Sequence, residues 1–192
     1  MSTKSIKGTK TEQNLVNAYM AESQAYARYT YYAAQAEKES YFPIQKIFEE
    51  TAANELRHGK IYMKMLEGGT LPCNITVDSV PIQDTATNLQ IAIHEESDEG
   101  FEVYLDNAKV AEEEGFPEIA EHFKAIAAIE KHHMERFQTL LDHVKKGTLW
   151  KREKPIQWQC LVCGYMFEGT EPPKKCPACD HPYQHYMPLD II

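Results

Sequence analysis

Glu55-Leu56-Arg57-His58 and Glu130-Lys131-His132-His133 carry one Glu-x-x-His pattern twice, 75 positions apart, each inside a long stretch of helical periodicity. Residues three apart on an α-helix project from one face, so each pair offers a carboxylate and an imidazole to a common point. Two helices carrying such pairs, with one carboxylate from each of two further helices, make the dinuclear iron or manganese site of a four-helix bundle. A single Glu-x-x-His is usually a solvated helix face. Its repetition inside a larger internal repeat is what gives it weight.

Four amphipathic segments frame these pairs. The first spans Thr11 to Glu39 and stops at the Ser40-Tyr41-Phe42-Pro43 turn, since a residue before proline avoids helical angles. The second runs from Pro43 to Glu67 and is closed by Gly68-Gly69, proline suiting a first turn and glycine a helix end. Residues 69–86 read as a long crossover; short connections join antiparallel neighbours, so this length points to ferritin-like connectivity. The third helix is expected from Thr87, as its cap, to Glu114, and Gly115-Phe116-Pro117 separates it from a fourth that reaches Lys146.

The two halves resemble each other. Ala36-Glu37-Lys38-Glu39, an aromatic-Pro turn, Phe48 and Glu55-x-x-His58 parallel Ala111-Glu112-Glu113-Glu114, Phe116-Pro117, Phe123 and Glu130-x-x-His133, at an offset of 74 to 75. An internal two-fold would set the Glu-x-x-His faces opposite each other. Glu22 on the first helix repeats at Glu96 on the third with an offset of 74, and Glu130 lies 34 residues beyond Glu96. The half-repeats therefore differ by one residue, which we expect near the Gly115–Pro117 turn.

Glu22 is the first-helix candidate, on an apolar stripe with Ala18, Ala25 and Ala33 and with Tyr26 and Tyr29 nearby. On the third helix, His94-Glu95-Glu96-Ser97-Asp98-Glu99 offers too many acids for spacing to choose among, although Glu96 and Glu99 share a face. Carboxylates are hard ligands for iron or manganese, and imidazole disfavours magnesium and calcium. The bland readings are a surface position for His94 and His132, a core position for Tyr29 and Tyr104, and a solvated helix end at Glu112–Glu114.

The chain has 192 residues, enough for one good core and a small satellite. Lys and Arg number 20 against 29 Asp and Glu, a net charge of −9, which argues against nucleic acid or an anionic membrane as partner. Met1–Lys10 has no apolar stretch fit for a signal peptide, and no run approaches the roughly 18 apolar residues of a membrane span. A cytoplasmic, reducing location is expected, where clustered cysteines point to metal.

That cluster is C-terminal. Thr148–Pro155 is basic and aperiodic, a linker between a bundle at 1–147 and a module at 156–192 that is too small to fold without a staple. Cys160-Leu161-Val162-Cys163 and Cys176-Pro177-Ala178-Cys179 are two Cys-x-x-Cys knuckles, a tetrahedral thiolate set for zinc or iron. The stretch from Trp158 through Cys163-Gly164-Tyr165, with the second knuckle, looks like rubredoxin. That likeness implies a single iron for one-electron transfer, with Trp158, Tyr165 and Phe167 as the aromatic core around it. Cys73 stands apart as an ordinary loop thiol.

With both motif sets in this order, the chain resembles the rubrerythrin family over nearly its full length. The resemblance implies a mainly α fold, a ferritin-like four-helix bundle with a rubredoxin-like β/loop domain, holding three Fe per subunit. It implies that Glu55 and Glu130 bridge two irons, and that Glu22 completes one of them with Glu99 or His58, according to redox state. Glu96 and His133 would serve the other. Tyr29 and Tyr104 match family tyrosines that hydrogen-bond near the site, whereas Glu95 stands where the family usually has glycine. The implied activity is reduction of hydrogen peroxide to water, for oxidative-stress protection in an anaerobe. Electrons would come from NAD(P)H through rubredoxin or a separate reductase, because no Gly-x-Gly-x-x-Gly stretch is present. A head-to-tail homodimer would bring the four-cysteine iron of one subunit to the diiron site of the other. The competing readings are a ferroxidase or iron-storage protein of ferritin type, and a non-enzymatic electron carrier.

Overall fold

A computed structural model describes residues 4–74, 76–77 and 79–191, with the Glu99 side chain outside the described part. The helices are α1 (Lys10–Lys38), α2 (Phe42–Met65), α3 (Thr85–His94), α4 (Val103–Glu113) and α5 (Pro117–Lys146), with a π-helical segment over Glu95–Glu102 joining α3 to α4. The strands are β1 (Ile156–Cys160), β2 (Met166–Gly169) and β3 (Tyr186–Pro188), in an antiparallel sheet of order β2-β1-β3. The expected mainly α architecture with a small β module is what forms.

The chain divides into two compact units. One comprises residues 1–29, 51–81 and 94–134; the other comprises 30–50, 82–93 and 135–192. In the first, Tyr62, Tyr104 and Phe123 form the aromatic centre, with Tyr62 and Phe123 rings 5.0 Å apart, walled by Leu15, Ala108 and Ile126. In the second, Phe48 packs against Phe137 at 5.1 Å and Tyr32 at 5.6 Å. Each fully buried ring contributes about 1.5–3 kcal/mol by leaving water.

The internal repeat extends to the helix ends. Helix α1 ends in a left-handed residue, Ser40 (φ 64°), and α4 in Gly115 (φ 78°). Tyr41 N–H bonds Ala36 O and Phe116 N–H bonds Ala111 O, both at 2.8 Å. These are matching Schellman closures. The α1 stop is thus a left-handed cap two residues before the Phe42-Pro43 step, and Phe42 itself is helical.

Helix starts are capped from the other half. Glu114 accepts from the Thr11 amide at 2.8 Å and hydroxyl at 2.6 Å, and Glu39 accepts from the Thr85 amide at 3.0 Å. The Thr11 hydroxyl beside it holds the Glu114 carboxyl below its ordinary range. Helix α3 begins two residues before the expected Thr87, because Asp84 is the cap and accepts from the Thr87 amide and hydroxyl at 3.0 Å. The crossover is tied to α1 by Gln13 Nε2, which donates to Pro72 O at 2.8 Å, and by Asn17 Oδ1, which accepts from Asn74 N–H at 3.1 Å.

The extra residue of the second half is not at the Gly115–Pro117 turn. Thr11, Leu15, Ala18 and Glu22 repeat at Thr85, Leu89, Ala92 and Glu96 with an offset of 74, whereas Tyr29, Ala36 and Ser40 repeat at Tyr104, Ala111 and Gly115 with an offset of 75. The change falls inside Glu95–Glu102, the π-helical segment. A π-turn absorbs one inserted residue within a helix without disturbing the faces on either side.

The linker is ordered. Leu149 is buried, Arg152 pairs with Asp190 through two bonds at 2.7 and 2.9 Å, and Trp150 Nε1 donates to Tyr186 O at 3.1 Å. Phe42 stacks on His185 with ring centroids 3.7 Å apart, and Tyr41 stacks on Trp150 at 5.9 Å. The module's core is Trp158, Tyr186, Cys160 and Cys176, with Phe167 and Trp150 against it. Tyr165, expected in that core, is exposed, and Tyr186 fills the place.

Candidate metal centres

In the first unit the helical pairs converge. His58 Nδ1 lies 2.8 Å from Glu55 Oε2, 3.0 Å from Glu130 Oε1 and 3.7 Å from Glu22 Oε2. His133 Nδ1 lies 3.0 Å from Glu130 Oε2, 3.1 Å from Glu55 Oε1 and 3.5 Å from Glu96 Oε2. Glu55 and Glu130 thus reach both imidazoles, and Glu22 and Glu96 serve one each. The structure brings Glu22, Glu55, His58, Glu96, Glu130 and His133 together, all buried.

Two hydroxyls orient the outer carboxylates. Tyr29 donates to Glu96 Oε1 and Tyr104 to Glu22 Oε1, each at 2.6 Å. That leaves Oε2 of each acid turned to its histidine. Burial first, then the neighbouring carboxylates, keeps both phenols far above their ordinary range, so they remain donors. Tyr26, by contrast, is 39% exposed and outside this cluster.

Glu96 faces the imidazoles, whereas Glu95 pairs with Arg28. Both line a cavity of about 60 Å³ with Glu22, Glu55, Glu130 and the two tyrosines. Glu99 lies in the π-helical segment, and its side chain is outside the described residues. His94 and His132 are on the surface, and Cys73 is exposed in the crossover.

Sequence periodicity did not flag the glycine contacts. A Cβ on Gly100 would stand 2.9 Å from Glu130 Cγ and 3.1 Å from its Cβ, so the π-helical segment sits too close to α5 for any side chain there. A Cβ on Gly59 would likewise meet Glu22 Cβ at 3.3 Å. A glycine three or four residues from a candidate ligand is the signal that could have found them.

The electrostatics favour cations. Burial, ahead of neighbouring carboxylates, pushes Glu22 and Glu96 well above the usual carboxyl range. Burial opposes charge on His58 and His133 too, but the surrounding carboxylates outweigh it and hold both at about 12. Glu130 resists the upward push of burial because His133 and His58 flank it, and it falls to about 2. Oε1 of Glu55 and of Glu130 are buried without an aligned hydrogen-bond donor. Four buried carboxylates around two imidazoles, with orphaned oxygens aimed inward, are incomplete without positive charge. In two sets, Glu22-Glu55-His58-Glu130 and Glu55-Glu96-Glu130-His133, one ligand atom per residue lies within 4.8 Å of the others. These residues fit a pair of iron ions, with Glu55 and Glu130 common to both sets.

The four cysteines form a third set within the same 4.8 Å. Cys160 and Cys179 sulfurs are 3.7 Å apart, and Cys163 and Cys176 sulfurs 3.6 Å. Each knuckle closes alike: Gly164 N–H bonds Cys160 O at 2.8 Å and Asp180 N–H bonds Cys176 O at 2.9 Å, with Gly164 at φ 77° and Asp180 at φ 59°. The Cys176 thiol is lowered to about 6, despite burial, by the Tyr186 hydroxyl and the Ala178 and Cys179 amides. Such a thiolate is ready for metal.

The rubrerythrin family pattern matches residues 13–141, with an overlapping second match at 87–156, and the rubredoxin-like domain of rubrerythrin matches 158–187. The chain belongs to the rubrerythrin family. It is 44% identical over 186 residues to rubrerythrin of Porphyromonas gingivalis, covering 97% of this chain and 93% of that one. Against rubrerythrin of Nitratidesulfovibrio vulgaris identity is 42% over 188 residues, with 98% of each covered. Among solved structures, fully reduced, all-ferrous nigerythrin aligns with a TM-score of 0.63 at 26% identity, covering 97% of this chain and 94% of that one. As a rubrerythrin-family member the chain has one diiron site and one iron held by four cysteines, three Fe per subunit, and a rubredoxin-like domain suited to electron transfer. Among the described residues no helix is long and apolar enough to cross a membrane.

Proposed function

We propose that the protein is a non-haem diiron peroxidase that reduces hydrogen peroxide to water, protecting an anaerobe against oxidative stress from the cytoplasm. The carrying observation is the cavity of about 60 Å³ against Glu22, Glu55, Glu96 and Glu130. A cavity that small suits a molecule of a few atoms, such as hydrogen peroxide. Glu22, Glu55, His58, Glu96, Glu99, Glu130 and His133 would hold the irons, which would supply two electrons and Lewis acidity.

The chain's own residues do the rest. Peroxide needs two electrons and two protons to become two waters. Tyr104 and Tyr29 fix which oxygen of Glu22 and of Glu96 faces inward, and both tyrosines line the cavity. Arg28 and Glu95, paired with each other, line the cavity beside the four acids. Cys160, Cys163, Cys176 and Cys179 would hold an iron that supplies electrons one at a time. NAD(P)H, through rubredoxin or a separate reductase, is their source. The working division is a bundle at 1–147, a linker at 148–155 and the four-cysteine module at 156–192, in a head-to-tail homodimer.

The test mixes iron-loaded protein, a rubredoxin-type reductase and NADH, then adds hydrogen peroxide. Peroxide-dependent NADH loss is expected. Its absence, with rapid Fe(II) oxidation by O₂ instead, would establish the ferroxidase reading.

A further inference from the structure

A second cavity, of about 280 Å³, lies in the same compact unit as the carboxylate cluster. The internal repeat accounts for it. Its lining residues Ala21, Val103 and Asn107 correspond, at offsets of 74 to 75, to Glu95, Arg28 and Tyr32. Glu95 and Arg28 are ion-paired, and the Tyr32 ring is buried 5.6 Å from that of Phe48. Three large side chains in one set thus have three smaller ones as counterparts in the other, and the smaller set lines the larger cavity.

This cavity adjoins the small acidic one. The two share Ala21 on α1, Thr76 in the crossover and Tyr104 on α4. Tyr104 is also the residue whose hydroxyl holds Glu22 at 2.6 Å. Their chemistries differ. Four carboxylates line the small cavity. The walls of the larger one are uncharged: Asn14, Asn17 and Asn107 supply amides, and Ala18 and Val103 supply apolar surface. A charged group buried there would meet no opposite charge, which is costly. A short hydrocarbon group carrying an oxygen fits, with methyls against Ala18 and Val103 and the oxygen within the amides.

We propose that this chamber binds the organic group of a small, uncharged alkyl hydroperoxide, whose O–OH end lies in the acidic cavity. The inference rests on the peroxidase reading and extends its substrate class. The reaction takes two electrons, drawn from NAD(P)H by the same relay, and two protons from water. The O–O bond breaks; the outer oxygen leaves as water and the inner one stays on carbon as the alcohol. Asn107 determines the room available to the organic group, because the repeat carries a tyrosine in its place.

The iron-loaded, full-length protein is assayed with reductase and NADH against hydrogen peroxide and tert-butyl hydroperoxide in parallel. Both should be consumed. Asn107→Tyr, which installs the residue the repeat has at Tyr32, should lower kcat/KM for tert-butyl hydroperoxide relative to hydrogen peroxide by about tenfold or more. Asn107→Ala should shift preference toward the bulkier cumene hydroperoxide, a gain that misfolding cannot mimic. A second measurement needs no turnover. The protein loaded with zinc, which gives no electrons, is titrated with tert-butyl hydroperoxide and followed by methyl NMR. Ala18, Ala21 and Val103 signals should shift saturably, and should not do so in Asn107→Tyr. A ratio unchanged in both variants with helical content intact would overturn the inference, as would a titration that moves none of these signals. Hydrogen peroxide consumed without tert-butyl hydroperoxide would also overturn it, and would leave the peroxidase reading standing. If neither peroxide is consumed, the peroxidase reading falls and the substrate inference falls with it.

Discussion

Tyr104 on α4 donates a 2.6 Å hydrogen bond to Glu22 Oε1 on α1, across 82 residues of sequence. Its repeat partner Tyr29 does the same for Glu96 at the same distance. Each tyrosine thus belongs to the opposite half from the acid it orients, which locks the two half-repeats together at the metal site.

Removing that hydroxyl leaves a buried carboxyl oxygen without its donor, a cost of about 1–3 kcal/mol. Tyr104→Phe and Tyr29→Phe should each destabilise the metal-free protein by that amount in chemical denaturation, with a similar slope against denaturant. A loss below about 0.5 kcal/mol, the ordinary surface range, would mean that the site relaxes around the missing hydroxyl.

Gly100 is required by the approach of the π-helical segment to α5. A Cβ there meets Glu130 Cγ at 2.9 Å, and Glu130 is an acid shared by both histidines. Gly100→Ala should displace Glu130 and lower iron at the carboxylate site, while the four-cysteine site keeps its full complement. The overpacking cost is about 1–3 kcal/mol. Gly59→Ala, with a contact of 3.3 Å to Glu22 Cβ, should cost less. Elemental analysis of metal per chain separates these outcomes, and unchanged iron in Gly100→Ala would contradict the prediction.

Metal uptake should release protons. In the metal-free site the surrounding carboxylates hold His58 and His133 at about 12, so both imidazoles carry protons near neutrality, and burial makes Glu22 and Glu96 keep theirs to higher pH than ordinary carboxyls. A cation must displace the proton on each ligating atom, so affinity rises with pH and falls as protons compete at lower pH. Each displaced proton adds up to about tenfold in affinity per pH unit. Cobalt titrations at about pH 6 and about pH 8 measure this slope. A flat profile would show that the ligands are already deprotonated in the metal-free protein.

The chemistry was legible in the sequence because its ligands obey helical spacing: Glu55 and His58, Glu130 and His133 are local pairs whose geometry a helix fixes. Glu22 and Glu96 were found through the repeat. The extra residue can be placed from the sequence only by pairing Tyr29 with Tyr104, whose offset of 75 against 74 for Glu22 and Glu96 puts it before the Gly115–Pro117 turn; the backbone then shows that Glu95–Glu102 takes it in as a π-helical segment. The Asp84 cap lost out to Thr87 because both residue types cap helices. The exposed Tyr165 and buried Tyr186 show a different limit in the module, where strand pairing over a long separation decides which aromatic is covered.

The last prediction concerns electron delivery. The carboxylate ligands and the four cysteines fall in different compact units, and each set can be disabled without touching the other. Cys176→Ser removes the thiolate that is already lowered to about 6, so that variant should lose the red thiolate-bound iron and keep the diiron pair. Glu55→Ala removes an acid shared by both histidines and should do the reverse. Each variant alone should show no NADH-driven peroxide reduction. In a head-to-tail dimer, a mixed dimer unites the intact four-cysteine iron of one subunit with the intact diiron site of the other. Co-expressed and separated by distinct tags, the mixed dimer should therefore regain turnover, whereas the two homodimers combined after assembly should not. If the mixed dimer stays inactive while both metal sites are filled, electrons pass within a single chain and the head-to-tail arrangement is wrong.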